Sequence, residues 1–340
     1  MKARKIEQTA RAAAADPGTV TVESAIAAYV TDQAARNLSP ASLNQSKSFL
    51  QRQFLPWCQA CRLLCLNQIR TPQVREFRHS WKISSITAAR RHERLRAFFV
   101  FCISNGWLQI NPMDGLKRPV VPQAVPTDYF NRAEVRRIIN AAHEYDYGGG
   151  TDCRHRGQRL RALVLLMRWS GLSIKDAVTL ERRRMDDHGA LFLRRAKTGV
   201  PVFVPLPPAV VSSLRALPSA NHAYFFWSGN GEARSVVQGY ERSFRKLFRI
   251  ADIREPDGTR KRCRSHMFRD TFAVELLLAG VPIDQVSVLL GHRSIKMTER
   301  HYLPWVEARQ KQLTTSVQRA WFPEVRQNIL NQLPFLRSPR

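Results

Sequence analysis

HMFRDTFAVELLLAGVPIDQVSVLLGHRSIKMTERHY, residues 266–302, decides how the rest of this chain is read. Ser265 is a helix N-cap residue and Gly280 ends the helix that it starts; Pro282 opens a second helix that Gly291 closes, and SIKMTERHY begins a third short one. His266 and Arg269 lie three residues apart, on one helix face beside an N-terminus whose unpaired N–H groups favour an anion. His292 emerges just past the second helix, and Tyr302 follows ten residues later. Taken singly, each has a plainer reading, since a histidine in a basic chain is usually a surface group and a tyrosine on an amphipathic helix usually packs a core. Their order on three consecutive elements is what points to phosphate chemistry.

Upstream, GALFLRRAKTGVPVFVPLP (189–207) holds two apolar runs around Lys197-Thr198-Gly199, which predicts a β-hairpin with a lysine at its turn. NRAEVRRIINAAHE (131–144) and HRGQRLRALVLLMRWSG (155–171) have helical periodicity, the latter ending at Gly171. KRPVVPQAVPTD (117–128) carries three prolines without a pattern and reads as an extended linker, so the domain boundary falls there. Residues 21–116 are helical throughout: Thr21 caps VESAIAAYVTDQAARN, Ser39-Pro40 starts a helix running through SLNQSKSFLQRQFLPWCQ, Thr71-Pro72 repeats that signal, and TAARRHERLRAFFVFCISNG ends at Gly106. A polar leader (1–20), a helical domain (21–116), the linker, a second domain (129–322) and a tail (323–340) make up the 340 residues.

The composition, 44% hydrophobic and 24% charged, is that of a globular chain. The charge is less ordinary, with 54 Lys and Arg against 27 Asp and Glu leaving +27, and it calls for a polyanionic partner, nucleic acid before an anionic membrane. No apolar run approaches the ~18–20 residues of a spanning helix, and the N-terminus lacks a secretory signal, so a cytoplasmic protein is expected. Six cysteines (58, 61, 65, 102, 153, 263) are read as reduced thiols. Cys58, Cys61 and Cys65 are spaced as one buried helical stripe, a better reading than three ligands of a metal lacking its fourth.

The residues HMFRD, LLGH and ERHY, behind the hairpin RRAKTG, resemble the motifs of the tyrosine recombinase (phage integrase) family. The resemblance covers most of the chain. It implies a mainly α fold with a small β-hairpin: an N-terminal helical, SAM-like core-binding domain and a mixed α+β catalytic domain. It further implies that Tyr302 attacks a DNA phosphodiester to give a 3′-phosphotyrosyl enzyme, with no ATP, metal or other cofactor. Arg269 then supplies a guanidinium fork, His266 and His292 act as donors or acid/base partners, and Lys197 protonates the leaving 5′-oxygen.

One motif departs from the family. Where the family has Gly-Leu-Arg with an acidic residue three positions on, this chain has Gly171-Leu172-Ser173-Ile174-Lys175-Asp176. Serine brings no charge, and losing one preorganised donor costs ~10²- to 10³-fold in rate. Lys175 is the first candidate substitute and Arg168 the second; otherwise both are solvated and the enzyme is slow or inactive. DNA is expected between the two domains, with Arg90, Arg91, Arg94 and Arg96, and Arg260, Lys261, Arg262 and Arg264, as backbone contacts, although each is as readily a solvated face. The partners expected are double-stranded DNA and three further copies of the chain on paired sites, weakly associated or monomeric without DNA, and on the nucleoid when bound. The segment LPWVEARQKQLTTSVQRAW docks on a neighbouring protomer or packs on its own domain. Two other readings stay open: a DNA-binding protein of recombinase fold with weakened cleavage, and type IB topoisomerase-like relaxation.

Overall fold

The computed structural model of the chain describes residues 20–122, 127–145, 155–218 and 221–321; the leader before Val20, Cys153 and the tail at 323–340 lie outside the described residues. The chain divides into two compact units, Met1–Gln123 and Ala124–Arg340, a division that falls within the proline-rich segment. The fold is mainly helical with one two-stranded antiparallel sheet among the described residues.

In the first unit, α1 (Val22–Ala35) is capped by Thr21, whose side chain accepts from Ser24 N. Ser39 caps α2 (Pro40–Phe49), with proline at the first helical position. A π-helical turn, Leu50–Phe54, joins α2 to α3 (Leu55–Ala60), so the long second helix read from the sequence changes its hydrogen-bond ladder midway. α4 (Thr71–His79) begins one residue earlier than Thr71 as a cap would allow, because the Gln73 side chain accepts from Arg70 N and fills that role. α5 (Ser85–Ser104) ends at Asn105, before Gly106 in the left-handed region. Phe54, Phe98 and Phe99 are fully buried and meet edge-on or tilted, and burying each ring stabilises the unit by roughly 1.5–3 kcal/mol.

The cysteine stripe does not form. α3 ends at Ala60, so Cys58 is buried, Cys61 is exposed just past the helix end and Cys65 bridges to Thr21 outside any helix. Burial pushes the Cys58 thiol up to about 12, the state of an inert packed thiol rather than a ligand. Among the described residues no group of His, Cys, Asp or Glu is placed to hold a metal.

The second unit runs α6 (Arg132–Glu144), α7 (Arg156–Ser170), α8 (Ile174–Val178), the hairpin β1 (Ala190–Arg194) and β2 (Pro201–Pro205), α9 (Pro208–Arg215), α10 (Ala233–Ala251), α11 (Met267–Leu278), α12 (Ile283–Leu290) and α13 (Ile295–Trp321). α6 starts with a capping box, Asn131 accepting from Glu134 N and Glu134 accepting from Asn131 N. Phe130, Phe244, Phe248 and Phe268 pack as one aromatic group that seats α11 against α10. The strands pair Ala190 with Pro205 through Arg194 with Pro201, and Gly199 at the turn is left-handed. Two expectations are corrected here. Ser265 is not a cap, because its hydroxyl donates to Glu241 and α11 begins only at Met267. SIKMTERHY is not a short third helix but the start of α13, a single 27-residue helix that carries Pro304 inside it. Among the described residues no helix is long and apolar enough to cross a membrane.

Candidate active site

Two helix ends build the site. α7 closes at Gly171 and α12 at Gly291, both left-handed, with φ of 60° and 64°. The last carbonyls of a helix have no intrahelical donor and carry the negative end of its dipole, so a cation between two such ends satisfies both. Arg269, on the first turn of α11 and 8% exposed, is that cation. Its Nη1 donates to Gly171 O at 2.7 Å and its Nη2 to Leu290 O at 2.8 Å, which fixes the plane of the guanidinium and leaves other N–H donors uncommitted.

Tyr302 enters from the second turn of α13 and is 3% exposed, packed in a cluster with Val202, Val204, Phe272 and Leu290. Its hydroxyl donates to Asp270 Oδ1 at 2.7 Å. Burial first, then the Asp270 charge and hydrogen bond, push the phenol well above its ordinary range, so it is neutral and tethered. Burial also raises the Asp270 carboxyl to about 6, against the opposing pull of the tyrosine bond and of Arg269. His266 Nε2 lies 3.9 Å from the same Asp270 oxygen, beyond hydrogen-bond reach. His292 Nδ1 is paired with Thr298 Oγ1 at 2.7 Å, leaving Nε2 as its other polar atom. Burial, then the charges of Arg269 and Arg195, hold His292 down at about 4. His266 is lowered too, less by burial, because its side chain is 62% exposed, than by the neighbouring cations Arg269 and Arg264, the cause that fits its setting. Both imidazoles are therefore neutral near neutral pH, each able to donate through one nitrogen and accept through the other.

Lys197 is exposed at the hairpin turn. That turn is fastened to the His292 loop: Thr198 Oγ1 donates to Gly291 O at 3.3 Å, and Arg293 donates twice to Thr198 O at 3.2 and 2.9 Å. The Lys197 charge is near enough to contribute to lowering His266. So Arg269, His266, His292 and Tyr302 converge, with Lys197 at the edge.

The cations named as substitutes for residue 173 are placed otherwise. Lys175 is exposed on α8, and Arg168 is buried, ion-paired with Glu275 and stacked over Trp169. Arg168 is thus already neutralised on α11. Ser173 caps α8, accepting from Asp176 N and donating to Asp176 Oδ2 at 2.7 Å. Among the surface cations, Arg90, Arg260, Arg262 and Arg264 are exposed, although Arg260 pairs with Asp252, and Arg94 is half-buried and bonds Gln45. Arg91 lies over the rings of Phe49 and Trp81, and Arg96 pairs with Asp114. Lys261 is a correction: its ammonium, 7% exposed, is held by Tyr129 O, Asp128 and Glu134 and ties the start of α6 to the approach of α11.

Sequence reasoning missed Asp270 and Arg195. Asp270 stood inside a quoted motif, but nothing in a motif states which atom a tyrosine 32 residues away will meet. For Arg195 a signal existed. Alternation along β1 puts Leu191 and Leu193 inward and Phe192 and Arg194 outward, so the next inward position is Arg195, which is 4% exposed.

Comparison with known proteins places this geometry. The profile of the phage integrase family matches residues 128–307. The tyrosine recombinase XerD of Rhizobium meliloti is 27% identical over 217 residues, covering 62% of this chain and 68% of that protein. XerC of Xanthomonas campestris pv. campestris is 24% identical over 293 residues, covering 83% of this chain and 85% of the relative. Among solved structures, a lambda integrase dimer bound to a COC' core site superposes with a TM-score of 0.64 at 17% identity, covering 84% of this chain and 77% of that one. The Tn1549 transposon integrase with circular intermediate DNA superposes with a TM-score of 0.61 at 17% identity, over 83% and 95% of the two chains. These likenesses share the two-domain fold described above, and with more than half of the sequence matched by the family profile, the chain belongs to the phage integrase family of tyrosine recombinases.

Proposed function

We propose that this chain cuts and rejoins DNA at specific sites through a 3′-phosphotyrosyl link to Tyr302, without ATP or metal. The observation that carries the reading is the Tyr302 hydroxyl, bonded at 2.7 Å to the residue that follows Arg269, whose guanidinium is locked between two helix ends. Tyr302 Oη attacks the phosphorus, the bond to the 5′-oxygen breaks, and the phosphodiester energy is kept in the new ester, so religation needs no external energy source. Arg269 holds the non-bridging oxygens, where charge is spread in the transition state, and His266 and His292 donate from the sides. Lys197 delivers a proton to the departing 5′-oxygen. The tyrosine is neutral and tethered to Asp270 before DNA arrives. The Arg269 charge favours the phenolate, and as the new bond forms the phenol proton passes to Asp270, which already accepts its hydrogen bond.

DNA as partner and a tetramer on paired sites follow the same reading, supported by the fold shared with a lambda integrase tetramer bound to a Holliday junction, at a TM-score of 0.62. Leu313 and Val317 on the outer half of α13 are 46% and 41% exposed, so they do not pack on their own unit and suit a contact with another copy.

The test uses nicked duplexes tiled across the DNA on both sides of the gene. Wild type is expected to give a covalent protein–DNA band with a free 5′-hydroxyl on particular duplexes, and Tyr302→Phe none. A band that survives Tyr302→Phe, or a 5′-linked protein, overturns the assignment. Sequence-independent relaxation of supercoiled plasmid by the chain alone would favour the topoisomerase reading, and Tyr302-dependent bands on no duplex would leave a DNA-binding protein.

A further inference from the structure

Arg195 has an unusual environment for a buried arginine. It is 4% exposed, and its contacts are all long: Nη1 to Asp176 Oδ2 at 3.4 Å, Nη2 to Gly171 O at 3.3 Å and to Leu289 O at 3.5 Å. Its Nε is buried with no hydrogen-bond partner. Arg269, beside it, is held at 2.7 and 2.8 Å. Both guanidiniums lean on the same Gly171 carbonyl, so two positive charges meet in a largely dry site. Of the carboxylates there, Asp176 meets Arg195 at long range and Asp270 is occupied by Tyr302. Arg195 thus has one carboxylate, Asp176, at 3.4 Å, otherwise only long contacts to neutral carbonyls, and an unpartnered Nε, so its donors are incompletely satisfied beside a second guanidinium.

The position of that guanidinium matters as much as its slackness. Asp176 Oδ2 receives both the Ser173 hydroxyl at 2.7 Å and Arg195 Nη1, so the Arg195 head group ends beside the serine. Ser173 is small and its hydroxyl is taken up by capping α8 and bonding Asp176, so it brings no cation to that place. Arg195 arrives from the hairpin, one residue past β1, on the inward face with Leu193. Its path is guarded by Gly291, where an added Cβ would lie 2.8 Å from Arg195 Cγ and 3.1 Å from its Nε.

We propose that Arg195 is the second phosphate-binding guanidinium of this active site, gripping the scissile phosphodiester together with Arg269 from the place that Ser173 leaves without charge. The proposal rests on the phosphoryl-transfer reading above. Its long contacts to neutral carbonyls are exchanged for short charge-assisted bonds to non-bridging oxygens, while Asp176 keeps the head group from swinging away. Two forks then face the two non-bridging oxygens, and the chain meets the charge demand of the transition state without an arginine at 173.

Two measurements test it. The first needs no DNA site: inorganic phosphate is added to the full chain at matched ionic strength, with chloride as reference, and Tm is followed. A phosphate-specific rise in Tm is expected in wild type and in Arg183→Gln, a surface control, and its loss in Arg195→Gln. A structural role alone would lower Tm in Arg195→Gln yet keep the phosphate increment, and that result would overturn the proposal. If Arg195→Gln does not fold, Arg195→Lys, which keeps the charge but not the fork, is expected to show a reduced increment; an undiminished one overturns the proposal equally.

The second measurement follows the Tyr302–DNA band. Arg195→Gln is expected to slow it ~10²- to 10³-fold on an ordinary phosphodiester. On a duplex whose scissile phosphate is a methylphosphonate, which carries no charge, the loss is expected to shrink to within about tenfold, because the missing guanidinium has less charge to balance. Ser173→Arg placed on Arg195→Gln is expected to recover at least tenfold, and on wild type to add little. Equal losses on both substrates would mark Arg195 as a scaffold residue. Arg195-dependent phosphate binding with Tyr302-dependent bands on no duplex would refute the nucleophile and leave the oxyanion seat standing; Tyr302-dependent bands indifferent to Arg195→Gln would do the reverse.

Discussion

Asp270 and His292 both feel the charge of Arg269 and are shifted in opposite senses. The Asp270 carboxyl is raised to about 6, so the folded chain holds its proton where the unfolded chain has lost it. Its contribution to stability is therefore present below the ordinary aspartate pKa and is lost as pH rises through about 6. His292, held down at about 4, does the opposite: its contribution is present above the ordinary imidazole pKa and is lost as pH falls through about 4. Asp270→Asn keeps an acceptor for the Tyr302 hydroxyl while removing the charge. Its stability relative to wild type is expected to improve by roughly 1–3 kcal/mol between pH ~4 and pH ~7, read from urea unfolding at both ends. His292→Gln is expected to lose less stability than wild type over the same acidification. A flat difference between Asp270→Asn and wild type across that range would mean that Asp270 does not titrate there.

At the scale of elements, Arg269 is held by the ends of α7 and α12, and Arg195 by the same two ends together with Asp176, and glycine makes those ends possible. A Cβ on Gly291 would stand 2.6 Å from Val202 Cγ2 and 2.8 Å from Arg195 Cγ, at a φ of 64° that side chains rarely adopt. Val202 is buried in the sheet and has little room to yield. Gly291→Ala is expected to lower unfolding free energy by roughly 1–3 kcal/mol and to displace the hairpin from α12, checked by denaturant melts and by faster amide exchange in β2. A stability unchanged within about 0.5 kcal/mol would show that the hairpin moves freely. The start signals of α1 and α2 were legible because caps and N1 prolines act over four residues. The end of α3 and the length of α13 were not, since packing and the tolerance of Pro304 depend on neighbours distant in sequence.

For the whole molecule, the net charge of +27 divides into groups that do different work. Arg262 is exposed, whereas Lys261 is buried among Asp128, Glu134 and a carbonyl. Arg262→Ala is expected to reduce the slope of log K for DNA against log salt by about 1 with little change in Tm. Lys261→Met, next to it in sequence, is expected to destabilise the fold by roughly 2–4 kcal/mol, chiefly by leaving the largely buried Glu134 carboxylate without its cation. The reverse pattern, seen in salt titrations and thermal melts of the two variants, would show that their neighbourhoods are misassigned. By itself the sequence determined the helical periodicity, the hairpin, the proline-rich division and the order of His266, Arg269, His292 and Tyr302, because these follow from local spacing and backbone chemistry. Which cation stands beside Ser173 was decided only by the tertiary structure. Lys175 and Arg168 are near in sequence but point to solvent or to Glu275, whereas Arg195, some twenty residues downstream, is brought in by the pleat of β1 and by two helix ends that only packing sets side by side.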